Sequence, residues 1–493
     1  MRTRTLCFIL PALFLCMTAV SSPAAVRFVV TYPKETLPDT FSGRVVVYLG
    51  KGGGEPRFGP NWFNPQPMYS AKFTRIQPMQ PMTIDETAIG FPGKLSEIPA
   101  GEYTAQAVCD RNLGGRMIGG SPGNLYSEPQ KVTITAGQEQ TITLTCDKVV
   151  AERVFREIER VKEVKIESKL LSKFFGRPTY LRAAVALPEE FATQPDRKFP
   201  IIYEVPGFGG RHYNLSGASG SRRTVRNGEA FLYVVLDPDC PLGHSVFADS
   251  ANNGQWGKAL TTELIPAIEK QFRAFGTMPT RYVTGHSSGG WSSLYLQVTY
   301  PEVFGGCWST SPDPVDFRDF QQIDLYGSAS NMFTDSADNP RPLARTGDRP
   351  TILYKRFSDM ERPIRGEQLG SFEAVFSPKG KDGTPRPLWN RDTGKIDPEV
   401  AEAWRKYDIG LTLRTRWKEL EPKLRGKIHV YMGDMDTFYL EGAVKLLQQD
   451  MARLKAGVMI EIVPGDHGSM MTPALRTRMD EEMAAQFKKA TAK

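Results

Sequence analysis

The chain reads as an α/β protein preceded by an all-β segment. Three observations predict this. From about residue 160 onward, short β-type runs alternate with amphipathic helical runs. One strand-to-helix junction carries Gly285-His286-Ser287-Ser288-Gly289. Residues 26–150 instead show only short alternating runs between glycine and proline punctuation.

In the first segment the runs 27–32, 43–49, 101–108 and 131–146 predict a small all-β sandwich over residues 26–150. Its role is open between passive packing and binding of a glycan or partner, since Trp62, Phe63 and Tyr69 are a slender hint. Residues 151–158 make a charged joint to residues 151–493. There, 164–168 and 180–187 are the opening strands, 199–205 and 231–236 are buried strands, and 307–310 is another. Leu260, Leu264, Ile268 and Phe272 mark one helix face, with Pro266 expected to kink it. Leu440, Val444, Leu447, Met451 and Leu454 mark a second helix, and Leu475, Met479, Met483 and Phe487 a closing one. Residues 317–425 are too long for a plain connection, so they are expected to form an insertion or lid, with a helix opening at Asp397-Pro398-Glu399. Arg341, Arg345, Arg349, Arg362 and Arg365 cluster there. A solvated lid face is the expected reading, ahead of contact with an anionic or catechol-like substrate.

A bare Gly-x-Ser-x-Gly match carries little weight in a chain with 45 glycines. Gly119-Gly120-Ser121-Pro122-Gly123 fits it too, but follows a polar run and reads as a surface loop. At Ser287 the flanks differ. The run 281–284 is a strand and 291–297 continues as a helix, so the serine sits on a sharp turn with its hydroxyl held clear of both elements. A serine used as a nucleophile needs an imidazole base and an acid to orient it. Of five histidines, only His429 and His467 follow the serine. His429 lies inside an apolar strand and reads as structural, whereas His467 lies in a loop after the strand 458–463. Gly433-Asp434-Met435-Asp436 offers the acid. Asp436 is preferred for its reach, and Asp434 is suited to bonding backbone N–H groups in the turn. The N–H groups of Ser288 and of Phe208, in the glycine-rich loop 206–210, are the expected oxyanion donors.

These residues, with 243–254 and 304–314, resemble the bacterial putative-esterase family that includes enterochelin esterases and esterase D-like hydrolases. The resemblance covers residues 160–315 and 425–490. It implies an α/β-hydrolase fold, a mostly parallel eight-stranded sheet with helices on both faces, with Ser287, Asp436 and His467 at the triad positions and 206–210 as the oxyanion loop. Many relatives read His-Gly where this chain reads Pro206-Gly207. The expected activity is serine-dependent hydrolysis of a small-molecule or glycan-linked ester, with no metal and no organic cofactor. Acyl transfer, peptide hydrolysis and a non-catalytic binding role are the alternatives.

Arg2 and Arg4 before the apolar run 6–20, then Ser22-Pro23-Ala24, read as a secretory signal over residues 1–24, so a periplasmic or secreted protein is expected. That run is too short to argue for a membrane span. Beyond the signal, Cys109 and Cys146 are candidates for a bridge, and the resemblance implies that Cys240 and Cys307 are free. The net charge of +7, from 62 basic and 55 acidic residues, is weak for this length and calls for neither nucleic acid nor an anionic membrane.

Overall fold

Strands that are apolar from end to end belong where both sheet faces are covered. Leu232–Leu236 and Gly306–Thr310 are buried at every position. The computed structural model describes residues 26–135, 137–215 and 223–492, so the expected signal, residues 1–24, lies outside the described residues. Its large sheet is built from β1 (Val161–Glu167), β2 (Tyr180–Ala186), β3 (Ile201–Val205), β4 (Leu232–Leu236), β5 (Arg281–His286), β6 (Gly306–Thr310), β7 (Ile428–Gly433) and β8 (Met459–Val463). The spatial order is β1-β2-β4-β3-β5-β6-β7-β8. Only the β1–β2 and β2–β4 pairs are antiparallel, and the other five are parallel. The carboxyl ends of β5, β7 and β8 therefore open on one edge of the sheet.

The helix before β5 does not simply kink. A wide π-turn over Leu260–Leu264 precedes α1 (Ile265–Gln271), which puts Pro266 in the first turn of a new helix, where its missing N–H costs nothing. α2 (Ser288–Thr299) follows β5. The insertion contains a hairpin of Pro342–Thr346 with Arg349–Leu353, then α3 (Tyr354–Glu361), α4 (Gln368–Phe376) and α5 (Pro398–Trp404). Asp397 caps α5 by accepting from the N–H of Glu399 and Val400. The next helix, α6 (Ile409–Leu424), starts at its own cap, Asp408, and packs on α2. It belongs to the helical layer, so the insertion ends short of residue 425. α7 (Glu441–Arg453) and α8 (Pro473–Thr491) follow β7 and β8.

The amino-terminal strands form two sheets, one of three strands and one of seven. Strand alternation gives the larger sheet two buried faces. In Phe41–Gly50, Val45, Val47 and Leu49 point into the space between the sheets, while Val46 and Tyr48 join the core of the large sheet. Buried charges then fix the orientation. Asp110 accepts two bonds of 2.6 Å from Arg365, and Arg116 lies 3.3 Å from Glu367.

Three expectations need correction. Arg341, Arg345 and Arg365 do not belong to a solvated lid face, since Arg341 bonds three backbone carbonyls, Arg345 pairs with Glu441 and Arg365 is turned inward to Asp110, whereas Arg349 and Arg362 are exposed as expected. Ser121 is not in a surface loop. It is buried, with its hydroxyl 2.8 Å from the carbonyls of both Gly115 and Met117. Cys109 and Cys146 are buried free thiols, as are Cys240 and Cys307.

Breaking a buried pair strands its partner charge, so Asp110→Ala should lower the free energy of urea unfolding by about 3 kcal/mol. A loss below about 1 kcal/mol would mean that the apolar face alone holds the two parts together.

Candidate active site

The turn at Ser287 is fixed by backbone contacts. Ser287 has φ 60° and ψ −126°, an uncommon conformation for a residue with a side chain. Its N–H donates to the Thr310 carbonyl at 3.0 Å, and its carbonyl accepts from Trp291 and Asp313 at 3.0 and 3.2 Å. A Cβ on Gly285 would fall 2.1 Å from the Gly289 carbonyl oxygen, and one on Gly289 would fall 1.9 Å from that of Val205. Glycine at both places is therefore a steric requirement of the turn.

Ser287, His467, His286, Gly207 and Phe208 line one cavity of about 290 Å³. His467 is carried there by the loop between β8 and α8, and its Nδ1 lies 2.7 Å from Oδ2 of the fully buried Asp436. The other Asp436 oxygen accepts from the Phe438 N–H at 2.8 Å. With Nδ1–H donated to the carboxylate, Nε2 is left as the acceptor. Asp434 is turned to the histidine loop instead, accepting from the Gly465 N–H at 2.9 Å. Burial pulls the His467 pKa down, but the Asp436 hydrogen bond and the charges of Asp436, Asp313 and Asp466 outweigh it, so the net shift is upward. His286, whose ring lies 4.7 Å from that of His467, is pushed the other way, to about 4, by burial and by the His467 charge. His429 stacks on Trp308 with ring centres 4.5 Å apart, away from this cavity's lining.

The glycine-rich loop comes close to the serine: a Cβ on Gly207 would lie 3.1 Å from the His286 carbonyl oxygen and 3.4 Å from Ser287 Cβ. The loop turns through a Gly210 N–H to Gly207 C=O bond of 2.9 Å, with Gly209 at φ +82°. That bond does not use the Phe208 N–H. Ser288 opens α2, so its N–H belongs to the first turn, whose donors have no intrahelical acceptor.

Asp313 and Gln368 at this cavity, and His244 against its glycine-rich loop, escaped the sequence reading. Asp313 Oδ2 accepts from Ser288 Oγ at 2.5 Å and from Gln368 Nε2 at 3.2 Å. Burial pushes its pKa up to about 6, against the pull of the Ser288 bond. His244 donates from Nε2 to the Pro206 carbonyl at 2.8 Å and accepts the Val246 N–H on Nδ1 at 3.0 Å. Trp62, from the amino-terminal sheets, also lines the cavity. Asp313 and His244 lie in stretches that carried the family resemblance, so a signal existed; Trp62 carried only the slender aromatic hint of binding, and Gln368 none. Among the described residues no group of three or more His, Cys, Asp or Glu side chains is placed to hold a metal ion.

A family described as "Putative esterase" matches residues 177–474, well over half of the chain. The chain belongs to the putative-esterase family. Membership makes it a carboxylic ester hydrolase. No curated protein matches it. Among solved structures it is similar to a ferulic acid esterase, at 14% identity over 66% of this chain and 98% of that one, with a TM-score of 0.41. It is also similar to an S-formylglutathione hydrolase from Agrobacterium tumefaciens, at 15% identity over 66% and 94%, with a TM-score of 0.39. A third is a putative dipeptidyl aminopeptidase IV from Bacteroides ovatus, at 13% identity over 90% and 57%, with a TM-score of 0.39.

A methyl group on Gly289 has nowhere to go without parting α2 from β3. Gly289→Ala should therefore cost about 1–3 kcal/mol in urea unfolding and remove ester hydrolysis. A variant with wild-type stability and rate would show that the turn relaxes easily.

Proposed function

We propose that the protein hydrolyses a carboxylic ester through an acyl-enzyme on Ser287. The observation that carries this reading is the opening of Ser287 and His467 on one cavity, with His467 Nδ1 tied to buried Asp436 at 2.7 Å. In this mechanism Ser287 Oγ attacks the ester carbonyl while Nε2 of neutral His467 takes its proton. Asp436 holds the tautomer and stabilises the imidazolium. The N–H groups of Ser288 and Phe208 donate to the oxyanion of the tetrahedral intermediate. His467 then protonates the departing alcohol, and water, deprotonated by the same imidazole, releases the acid.

The lining favours an apolar substituent, since Leu343, Phe357, Leu369, Phe372, Phe438 and Leu440 face the cavity. A small or glycan-linked ester fits this reading. We also propose export, supported by the composition of residues 1–24.

Ser287→Ala should lower kcat by about 10⁴-fold or more, and a fluorophosphonate should label wild-type protein at Ser287 and nowhere else. Labelling at another serine, or retained hydrolysis in the variant, would sink the assignment. The base must be neutral and its pKa is raised above 6.5, so kcat/KM should fall as pH drops through a value above 6.5. Asp436→Asn removes the bond that raises that pKa. Its acid limb should move to lower pH while kcat falls by about 10⁴-fold. A fall below tenfold would assign the orienting role to a different carboxylate.

A further inference from the structure

A short stretch of the insertion joins the amino-terminal sheets to the turn at Ser287. Arg365 grips Asp110 and the Gly115 carbonyl. Two residues on, the buried Glu367 carboxylate accepts from Trp62 Nε1 at 2.8 Å and from Arg116 Nη1 at 3.3 Å. Its neighbour Gln368 reaches Ser288 Oγ at 3.1 Å. Trp62 is therefore aimed by a hydrogen bond, with its carboxylate partner neutralised by Arg116.

Its indole is not part of the packing between the two amino-terminal sheets. It stands half-buried, 5.0 Å from the Phe357 ring in α3, 5.5 Å from Phe208 and 6.4 Å from Phe438. Phe208 is in the loop beside Ser287, and Phe438 follows Asp436, so the indole bridges three separate walls of the cavity. Phe63, next in sequence, is 58% exposed and outside this lining. A polar anchor on one edge and a bare apolar face on the cavity suit a side chain that receives substrate.

We propose that Trp62 is a specificity-determining residue: the amino-terminal sheets supply one wall of the active site, and an ester's apolar substituent is selected by packing against the indole. This rests on the reading of Ser287 as nucleophile and names what that site prefers. A substituent too short to reach the indole gains nothing from it. A longer one gains the burial of an apolar face, and a change of one or two methylenes in such a pocket is worth about 10–200-fold in kcat/KM.

The test compares methyl acetate, methyl octanoate and octyl acetate with wild-type, Trp62→Ala, Trp62→Phe and Phe63→Ala enzymes, following proton release. The two long esters extend the acyl and alcohol sides respectively. In Trp62→Ala the kcat/KM ratio of at least one long ester to methyl acetate should fall by about tenfold or more, whatever the change in methyl acetate itself. Trp62→Phe should recover most of the ratio, and Phe63→Ala should match wild type. Unchanged ratios, a rise in them, or an equal fall for all three esters would overturn the proposal, the last showing that Trp62 only props the Phe208 loop. Wild-type enzyme that a fluorophosphonate labels at Ser287 but that turns over none of the three would overturn this inference alone, whereas absence of labelling would remove the Ser287 reading and this inference with it.

Discussion

The site depends on a backbone contact: α2 starts so close to the end of β3 that the Cβ of any residue but glycine at 289 would sit 1.9 Å from the Val205 carbonyl oxygen. That approach puts Ser287 at the top of β5 in a conformation serine rarely adopts, and places the start of α2 next to the loop that leaves β3. Positions along three strands thereby become one constellation. The parallel order of β3, β5, β6, β7 and β8 does the rest, since every loop used leaves the same edge of the sheet.

Charge is managed as tightly as space. Two imidazoles less than 5 Å apart are driven in opposite directions, His467 upward by a buried carboxylate and His286 to about 4 by burial, so the two do not titrate together. Asp313 adds a second buried carboxyl whose pKa, near 6, keeps part of its population uncharged at mildly acid pH. The hydrogen bonds from Ser288 and Gln368 draw its charge into a local network.

What could be read from the sequence was what chain neighbours determine. The strand, serine and helix at Ser287 and the helix faces at Leu440 and Leu475 are local patterns, and the mostly parallel eight-stranded sheet followed from the resemblance. Ser287, Asp436 and His467 come from separate loops, yet each sat in a recognisable strand-end setting, and the structure places them at one cavity or one bond from it. Trp62, Gln368 and Arg365 had no such setting, because their partners lie 55 to 305 residues away along the chain and composition does not encode a tertiary contact. Arg345 and Arg365 misled for the same reason: spacing along an insertion resembles a charged surface, while the carboxylates that absorb their charges, Glu441 and Asp110, lie outside it. Ser121 shows the limit of reading polarity as exposure, since two carbonyls satisfy its hydroxyl inside the protein.

Pro206 in place of a histidine raises the question of what holds the glycine-rich loop, and the answer lies in an unlikely stretch of backbone. Val246 and Phe247 both have positive φ, 44° and 48°, although a β-branched residue strongly resists that region. Both are buried, so the strain persists only because the surroundings over-determine it. The Val246 carbonyl accepts from Ser292 of α2, and its N–H donates to His244 Nδ1. The His244 N–H in turn donates to Ser371 of α4. Burial holds His244 neutral, with a pKa near 4, and with Nδ1 occupied as an acceptor the proton must reside on Nε2, aimed at the Pro206 carbonyl. A proline has no N–H to contribute at that point, but its carbonyl remains. His244 thus pins the loop at Pro206 from beneath, and its tautomer is fixed by strained backbone shared between α2 and the insertion.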